Sequence, residues 1–399
     1  MSPESAASRR PLLIIFLIVV VNLLGFGIII PFLPYYAEAL GASAFAVGLL
    51  FAAYSLCQLL AAPLLGELSD RWGRRPVLLL SLVGTVISFA MLAVATTVPM
   101  LFAARIVDGL SGGNISTARA YIADVTPPEK RARSYGLIGA AFGIGFILGP
   151  ALGGVLARFG QSVPAWAAAA MAGAAALLTW LYLPESAHVV SAKRGPVWSE
   201  APRMLARPRL GTLLGVDFVY WAAAGVFQTT FALFVAHRFG FDVTQTGELL
   251  ALVGLIGALV QTRLVGPVVH RYGERPTLTG GLVVAALGLG LVAFAPTVPL
   301  FLAGLVPSSV GVGLAGPSLT ALLSQAVDPS EQGRLQGVSS SLESLGRTVG
   351  PVWGNGTLSA FGETPAYASA ALVLLLLAVW TTRISEAKRA AAPAAHVPA

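Results

Sequence analysis

Long apolar runs alternate with short polar interruptions along the whole chain of 399 residues. Each run is close to the roughly 20 residues that an α-helix needs to cross the hydrocarbon of a bilayer. The pattern predicts six membrane-spanning helices in each half of the chain, at about 11–36, 45–66, 76–97, 99–123, 134–158, 163–184, 211–236, 246–266, 276–296, 298–324, 335–360 and 364–384. It divides the chain into an N-terminal bundle (1–184), a basic, proline-containing linker (185–210) and a C-terminal bundle with a short tail (211–399).

Two patterns recur about 200 positions apart. The stretch Gly66–Pro76, between the second and third spans, returns in degenerate form as Gly266–Pro276, between the eighth and ninth. A glycine and proline pattern in the fifth span also returns in the eleventh. Half-chain duplication is typical of secondary transporters. The predicted fold class is therefore an all-α membrane protein with 12 transmembrane helices in two pseudo-symmetric six-helix bundles.

Composition excludes a water-soluble fold, because 56% of the residues are hydrophobic and only 11% are charged, against about 25% charged in soluble domains. Lys and Arg outnumber Asp and Glu by 25 to 18. In a soluble protein this excess would suggest a nucleic-acid partner. Here most basic residues fall in the termini, the linker and the loops of one side, as the positive-inside rule requires. We expect a multi-pass protein of the plasma or inner membrane, surrounded by the lipid bilayer, with both termini cytoplasmic and no nucleic-acid partner.

Signals for other functional classes are weak. The single cysteine, Cys57, excludes an intramolecular disulfide. The four histidines lack metal-ligand spacing, and neither a nucleophile–base pattern nor a phosphate-binding loop occurs. The sequence thus predicts no metal, no cofactor and no enzymatic activity.

Few ionisable residues fall inside the predicted spans, where they mark pathways or buried pairs by default. Arg105 and Asp108 are three residues apart, and Glu343 and Arg347 are four apart, so each pair can share a helix face. For the second pair, mutual neutralisation is an equal alternative to a functional role. Asp217 has no partner at helical spacing, and it is either a proton-binding group or a residue near the cytoplasmic water boundary.

Amide and aromatic side chains predict a mostly apolar cavity, suited to a lipophilic compound that is neutral or cationic. Any one of them is more often a helix-packing residue than a ligand contact. The predicted cavity residues are Asn22, Phe26, Tyr54, Gln58, Asn114, Phe142, Phe146, Tyr220, Trp221, Gln228, Gln261, Arg347 and Trp353.

Three motifs resemble those of the major facilitator superfamily, in its twelve-helix drug:proton antiporter branch. The signature loop between spans two and three is matched by Gly66, Asp70, Arg71, Gly73, Arg74 and Arg75. The antiporter motif of the fifth span is matched by Gly136, Gly145, Gly149, Pro150, Gly153 and Gly154. Arg105–Gly113 is similar to the fourth-span motif. The resemblance implies the major facilitator fold and a monomeric exporter that couples a small-molecule substrate to protons.

The resemblance also implies roles for individual residues. The fourth-span arginine of the family is implicated in proton transfer, which favours Asp108, beside Arg105, as the proton carrier, followed by Asp217 and then Glu343. In the family, the residue at Asp70 lies near the start of helix eleven. The resemblance further implies that Arg74 pairs with Asp124 and that this latch joins the halves in the outward-facing state.

Within that branch the chain is most similar to tetracycline exporters. Those exporters carry Asp, Asp, His and Asp at the positions of Asn22, Ser88, Gly257 and Ala286. The substrate therefore does not follow from the resemblance. Our leading hypothesis is proton-coupled export of small lipophilic compounds by alternating access. The alternatives are an exporter or facilitator of a metabolite such as a sugar or lipid, and a ligand sensor that does not transport.

Overall fold

The computed structural model describes residues 9–126, 131–186, 197–328 and 331–382. Within these ranges every regular element is a helix, and no strand occurs. Residues 187–196 of the predicted linker and the tail from residue 383 lie outside the described residues. The α-helices are α1 (Arg9–Ala39), α2 (Ala44–Trp72), α3 (Arg74–Ala93), α4 (Val98–Leu110), α5 (Asn114–Val125), α6 (Arg131–Ala157), α7 (Val163–Tyr182), α8 (Val197–Leu205), α9 (Pro208–Phe239), α10 (Val243–Leu259), α11 (Val265–Tyr272), α12 (Glu274–Phe294), α13 (Val298–Gln325), α14 (Gln332–Phe361) and α15 (Glu363–Thr381).

Ten helical segments of the described chain are long and apolar enough to cross a membrane. One of them joins α10 and α11 through a π-helical turn, Val260–Leu264. The two remaining predicted spans are α14, which is rich in serine and contains two charged residues near its middle, and the consecutive pair α4 and α5. Together they complete the predicted set of twelve, and the predicted fold class is confirmed.

The fourth span differs from the continuous helix predicted over 99–123. It is interrupted at residues 111–113, between α4 and α5. Gly112 and Gly113 are poor helix formers, and the side chain of Gln58 on α2 donates a hydrogen bond of 3.2 Å to Gly112 O. Non-helical backbone is tolerated at membrane depth where protein covers it. The interruption is therefore held from the side by α2.

The repeated loops fold alike in the two halves. Gly73 ends α2 with φ of 109°, and Gly273 ends α11 with φ of 87°, a region that glycine enters without steric cost. The arginines two residues after these glycines also have equivalent partners. Arg75 donates to Trp180 O in the last turn of α7, and Arg275 donates to Thr381 O at the end of α15. Each loop thus caps the sixth helix of its own half.

The linker is attached to the C-terminal half. Arg207, between α8 and α9, donates to both carboxylate oxygens of Glu331 at 2.7 Å. These bonds hold the pKa of the Glu331 carboxyl below its usual range. Helix α9 begins at Pro208, slightly before the predicted start at 211. The ion pair joins the linker to the residue just before α14.

The two halves pack closely at one end of the molecule. We call it the outer end, following the predicted topology, and it carries the loops at 40–43, 158–162, 240–242 and 362. On the α2–α14 side, a Cβ built at Gly48 would lie 2.5 Å from Pro351 O. On the α6–α10 side, a Cβ at Gly154 would lie 2.9 Å from Thr244 Cα. At these two seams the backbones of the two halves come so close that only small residues fit between them.

Hydrogen bonds reinforce the same end. The Tyr35 hydroxyl on α1 donates to Phe241 O at 2.8 Å and lies 2.7 Å from Thr246 Oγ1 on α10. Arg158 Nε donates to Thr244 Oγ1 at 3.1 Å. Farther along α10, a Cβ built at Gly257 would contact no other helix, and the side chains of the π-helical turn after Val260 are exposed. The hydrogen bonds between described residues that join the two halves thus lie at the outer end, which is closed in this conformation.

We predict that Gly247→Ala opens the outer end. The added methyl group would overlap Pro150 O and lie 3.1 Å from Gly154 Cα, both backbone atoms of the opposite half. Overpacking of this kind costs about 1–3 kcal/mol, here only in the closed state. The measurement is labelling by a membrane-impermeant thiol reagent of a cysteine at Thr244, which is buried in the seam, in a Cys57→Ser background.

Gly257→Ala on the same helix is the matched control, because its methyl group meets open space. Labelling should rise for Gly247→Ala and stay at the background level for Gly257→Ala. Equal labelling of both variants would contradict the proposed role of this seam.

Candidate functional site

The N-terminal half holds one buried ion pair at membrane depth. Arg105 Nη1 on α4 lies 2.8 Å from Asp108 Oδ2, and the two side chains are 1% and 6% exposed. The guanidinium carbon of Arg105 lies 4.4 Å from the centre of the Tyr54 ring on α2, a cation–π distance. The pairing expected from the three-residue spacing is present. Within this cluster the two formal charges cancel.

Amide side chains extend this cluster toward the first span. Asn114, at the start of α5, donates to Asn22 Oδ1 at 3.3 Å and lies 3.4 Å from Thr85 Oγ1 on α3. Gln58 donates to the Tyr54 hydroxyl at 3.1 Å. Four predicted cavity residues, Asn22, Tyr54, Gln58 and Asn114, therefore belong to a hydrogen-bonded polar core of the N-terminal half.

The C-terminal half holds a different cluster. Ser339 Oγ on α14 donates to Asp217 Oδ2 on α9 at 2.6 Å and lies 3.5 Å from Glu343 Oε1. Glu343 Oε2 lies 3.7 Å from Arg347 Nη1, whose guanidinium carbon is 5.1 Å from the centre of the Trp221 ring. Asp217 is buried, whereas the side chains of Glu343 and Arg347 are 29% and 30% exposed. The sequence revealed no partner for Asp217 because its partner comes from another helix.

The charges of the C-terminal cluster do not balance. Asp217 and Glu343 carry two acids, and Arg347 is the only base among the described residues that pairs with either of them. Among the described residues, no basic group lies within 4.0 Å of the Asp217 carboxylate. A buried carboxylate without a counter-ion is costly in low dielectric. The cluster can therefore gain one positive charge, either a proton or a cation.

The signature loop forms a compact network at the inner end. Arg74 Nε donates to Asp124 Oδ2 on α5 at 2.8 Å, and Arg74 Nη1 donates to Asp70. The backbone N–H groups of Arg74 and Arg75 donate to the Glu185 carboxylate at 2.8 and 3.3 Å. This carboxylate caps the first turn of α3, where anions are favoured.

Other parts of the loop have more local roles. Arg71 pairs with Glu67 on the protein surface, and a Cβ at Gly73 would lie 2.6 Å from Glu185. Gly66 faces open space. Sequence reasoning placed Glu185 in the linker and gave it no role in the loop. The signal that could have indicated this role was an acid directly after the sixth span.

The antiporter-motif glycines bring α6 against α1. Cβ atoms built at Gly145 and Gly149 would lie 2.8 Å from Leu23 and 2.6 Å from Gly27 Cα, and a Cβ at Gly153 would lie 2.5 Å from Ile28 O. Gly154 instead contacts the other half, and Gly136 faces open space. Pro150 lies inside α6. The motif therefore builds both a packing face within one half and part of the outer seam.

The remaining predicted cavity residues occupy different environments. Phe26 lies 5.9 Å from Tyr54 between ring centres, and Phe142 lies 6.1 Å from Phe146. Tyr220 is buried and donates to Val312 O at 3.3 Å, which makes it a packing residue of the C-terminal half. Gln228 and Trp353 are partly buried, and Gln261 is exposed on the π-helical turn.

Two bundles of six spans that pack closely at one end, each with its own charge cluster, are the architecture of a secondary transporter. The chain belongs to the Major Facilitator Superfamily, whose family model matches residues 15–265 and 213–398. It is accordingly a multi-pass membrane protein of a transporter family.

Individual proteins of known name are also similar to this chain. The chain is 37% identical over 357 residues to the class C tetracycline resistance protein of Escherichia coli, covering 86% of this chain and 89% of that protein. The crystal structure of the human organic anion transporter MFSD10 matches with a TM-score of 0.72 at 26% identity, covering 96% of this chain and 100% of that one. The nucleoside transporter NupG shares the fold, with a TM-score of 0.78 at 15% identity over 95% of this chain and 100% of that one.

We predict that Asp108→Leu destabilises the protein by about 3–5 kcal/mol, because it leaves the buried Arg105 guanidinium without its partner. The double variant Arg105→Met, Asp108→Leu should recover most of this loss, since neither charge remains. Thermal unfolding of the purified protein in detergent measures both effects.

The exposed pair Glu67–Arg71 is the control, and Glu67→Gln should change the stability by less than about 1 kcal/mol. A double variant that is no more stable than Asp108→Leu would show that the buried pair does more than neutralise charge.

Proposed function

We propose that this protein exports small lipophilic compounds in exchange for protons, by alternating access between its two halves. The relatives that are named tetracycline resistance proteins and the antiporter motif of α6 support export. The observation that carries proton coupling is the Asp217 carboxylate, which is buried, lacks a counter-ion within 4.0 Å among the described residues and shares the Ser339 hydroxyl with Glu343. A group of this kind can cycle between protonated and charged forms when its hydration changes.

This geometry favours a different order of candidates from the one that the sequence favoured, with Asp108 last. Asp108 is held by Arg105 at 2.8 Å, and that contact supports its charged form. Asp217 accepts a hydrogen bond from a neutral hydroxyl, and the acid nearest to it, Glu343, disfavours a second negative charge. We therefore propose Asp217 as the principal proton carrier, with Glu343 as its link to the cavity and Asp108 as a stabilising partner of Arg105.

We propose a class of substrate rather than a particular compound. At the four positions where tetracycline exporters carry titratable groups, this chain has Asn22, Ser88, Gly257 and Ala286. Ser88 donates to Ala104 O at 2.9 Å, and Ala286 is 1% exposed, so both are packing residues here. The surplus acid of the C-terminal cluster and the aromatic side chains favour a lipophilic compound that is neutral or cationic.

We further propose that the protein works as a monomer in the plasma or inner membrane, with both termini in the cytoplasm. On this topology the outer end faces outward, and the conformation is inward-open. Cytoplasmic substrate would then reach the cavity directly, and the glycine seams would separate during export.

We predict that Asp217→Asn abolishes pH-gradient-driven export, because a neutral amide cannot exchange a proton. Downhill exchange of substrate should remain, since the cavity and the seams are unchanged. The measurement is transport in proteoliposomes with an imposed pH gradient, with ethidium and tetracycline as probes. Glu343→Gln and Asp108→Asn are tested in parallel, and the exposed Glu248→Gln is the matched control that keeps full coupling.

Asp217→Asn protein that still concentrates a probe against its gradient would refute the assignment of Asp217. Export by the unmodified protein without any pH gradient would instead favour the facilitator alternative. Binding of a probe with no flux would favour the sensor.

We propose that the signature loop is a conformational latch. Arg74 bridges Asp70 and Asp124, and Asp124 also accepts a hydrogen bond of 3.0 Å from Ser186, just after α7. In this inward-open state the Asp70 side chain is 53% exposed, so its carboxylate is free to meet a second partner when the inner end closes. We propose that this partner is the start of α14, as the family resemblance implies, where a helix N-terminus favours a negative charge.

We predict that Asp70→Asn slows transport and increases the inward-open population, because the outward-facing state loses a charge-assisted contact. The expected shift is about 0.3–1 kcal/mol, the usual strength of a carboxylate at a helix N-terminus. Thiol accessibility of cysteines at the two ends measures the populations. Glu67→Gln, one turn earlier on α2, is the control. Unchanged accessibility together with unchanged transport would contradict the latch.

A further inference from the structure

One histidine lies between two carboxylates where the halves meet at the outer end. His237, in the last turn of α9, has its Nε2 atom 3.0 Å from Glu38 Oε1 on α1. Its Nδ1 atom is 3.7 Å from Glu363 Oε1 at the start of α15. The three side chains are 41%, 30% and 29% exposed, so water and protons reach them. The imidazole thus bridges the two halves.

The geometry identifies the ligand of this site. The two ring nitrogens of His237 face different carboxylates, so the acids lie on different sides of the ring. A metal ion bound to one ring nitrogen would need both carboxylates on that same side of the ring. A neutral imidazole has one N–H donor, whereas the imidazolium has one on each nitrogen. The arrangement therefore suits a proton, which gives the ring a positive charge between two negative ones.

We propose that His237 is an external proton-binding site that holds the outer end closed. Glu38 belongs to the N-terminal half, whereas Glu363 belongs to the same half as His237. When the halves separate, the imidazolium loses Glu38 and keeps Glu363. The protonated ring thus has one more carboxylate partner in the closed state than in the open state. By reciprocal linkage, acid on the outer side favours the closed state.

The other charged groups around His237 have partners of their own. Arg238, the next residue, donates to Thr364 at 3.2 Å. Asp242 caps α10 through the Gln245 backbone, and Arg158 bonds Thr244 across the seam. Arginine stays protonated, and histidine is the side chain whose ordinary charge change falls between pH 5 and 8.

This site has a consequence for export. The outer end must open to release substrate and to admit a proton to the cavity. A low pH outside supplies the proton gradient that drives export. Through His237, the same low pH disfavours the opening of the outer end that export requires. The site would limit turnover in strongly acidic surroundings. The inference concerns the equilibrium of the outer end and stands apart from the proposed substrate and proton carrier.

The test measures that equilibrium directly, without substrate. Spin labels are attached to cysteines at Phe159 and Phe361, which are exposed at the outer end of opposite halves, in a Cys57→Ser background. Double electron–electron resonance on the full chain in nanodiscs gives the closed and open populations at pH about 8 and about 5. We expect the closed-to-open ratio to rise about twofold to fivefold on acidification, the range that exposed ion pairs supply.

Four variants separate the contributions. His237→Gln and Glu38→Gln should lose the pH response, the first because no proton binds and the second because no contact crosses between the halves. Glu363→Gln should keep a response, since the Glu38 contact remains. His270→Gln, which removes an exposed histidine of the inner loop, should respond like the unmodified protein. The distances at pH 8 show that each variant is folded.

Two results would overturn the proposal. One is a closed-to-open ratio of the unmodified protein that does not change with pH. The other is a full response in both His237→Gln and Glu38→Gln. The spin-label experiment measures no transport, so a failure of pH-driven export would not count against this proposal.

Discussion

The cost of an uncompensated charge inside a bilayer governs the organisation of this protein. Each ionisable group at membrane depth costs roughly 2.5–3.5 kcal/mol on insertion scales. The protein meets this cost by gathering most of these groups in two clusters, one in each half. Arg105 and Asp108 neutralise each other directly. Asp217, Glu343 and Arg347 do not reach neutrality, so the C-terminal cluster keeps one uncompensated acid.

The duplicated halves share their packing but differ in their chemistry. Glycines of α6 pack against α1, and glycines of α14 pack in the same manner against α9, where a Cβ at Gly346 would lie 2.7 Å from Phe218 O. The second copy of the signature loop has no acid at the position of Asp70, but it keeps the glycine turn and the arginine that caps a helix end. Repetition therefore preserved the elements that hold each bundle together, while the charged side chains became specialised.

Sequence reasoning reached the architecture because apolar runs and repeated glycines are local signals. The same reasoning predicted the Arg105–Asp108 and Glu343–Arg347 pairs, since partners on one helix are related by helical spacing. It could not predict that Ser339 would meet Asp217, because no spacing relates residues on different helices. Nor could it predict the break at residues 111–113, which depends on a hydrogen bond from Gln58 on another helix.

The interrupted fourth span separates two charge contacts mechanically. Helix α4 carries the buried pair with Arg105, whereas α5 carries Asp124, which holds the signature loop. A continuous helix would transmit each displacement of the loop to the buried pair as a rigid rod does. The interruption at Gly112 and Gly113 breaks this connection, so each charge contact belongs to its own helical segment. One span therefore carries a buried ion pair and a loop contact on two separate helices.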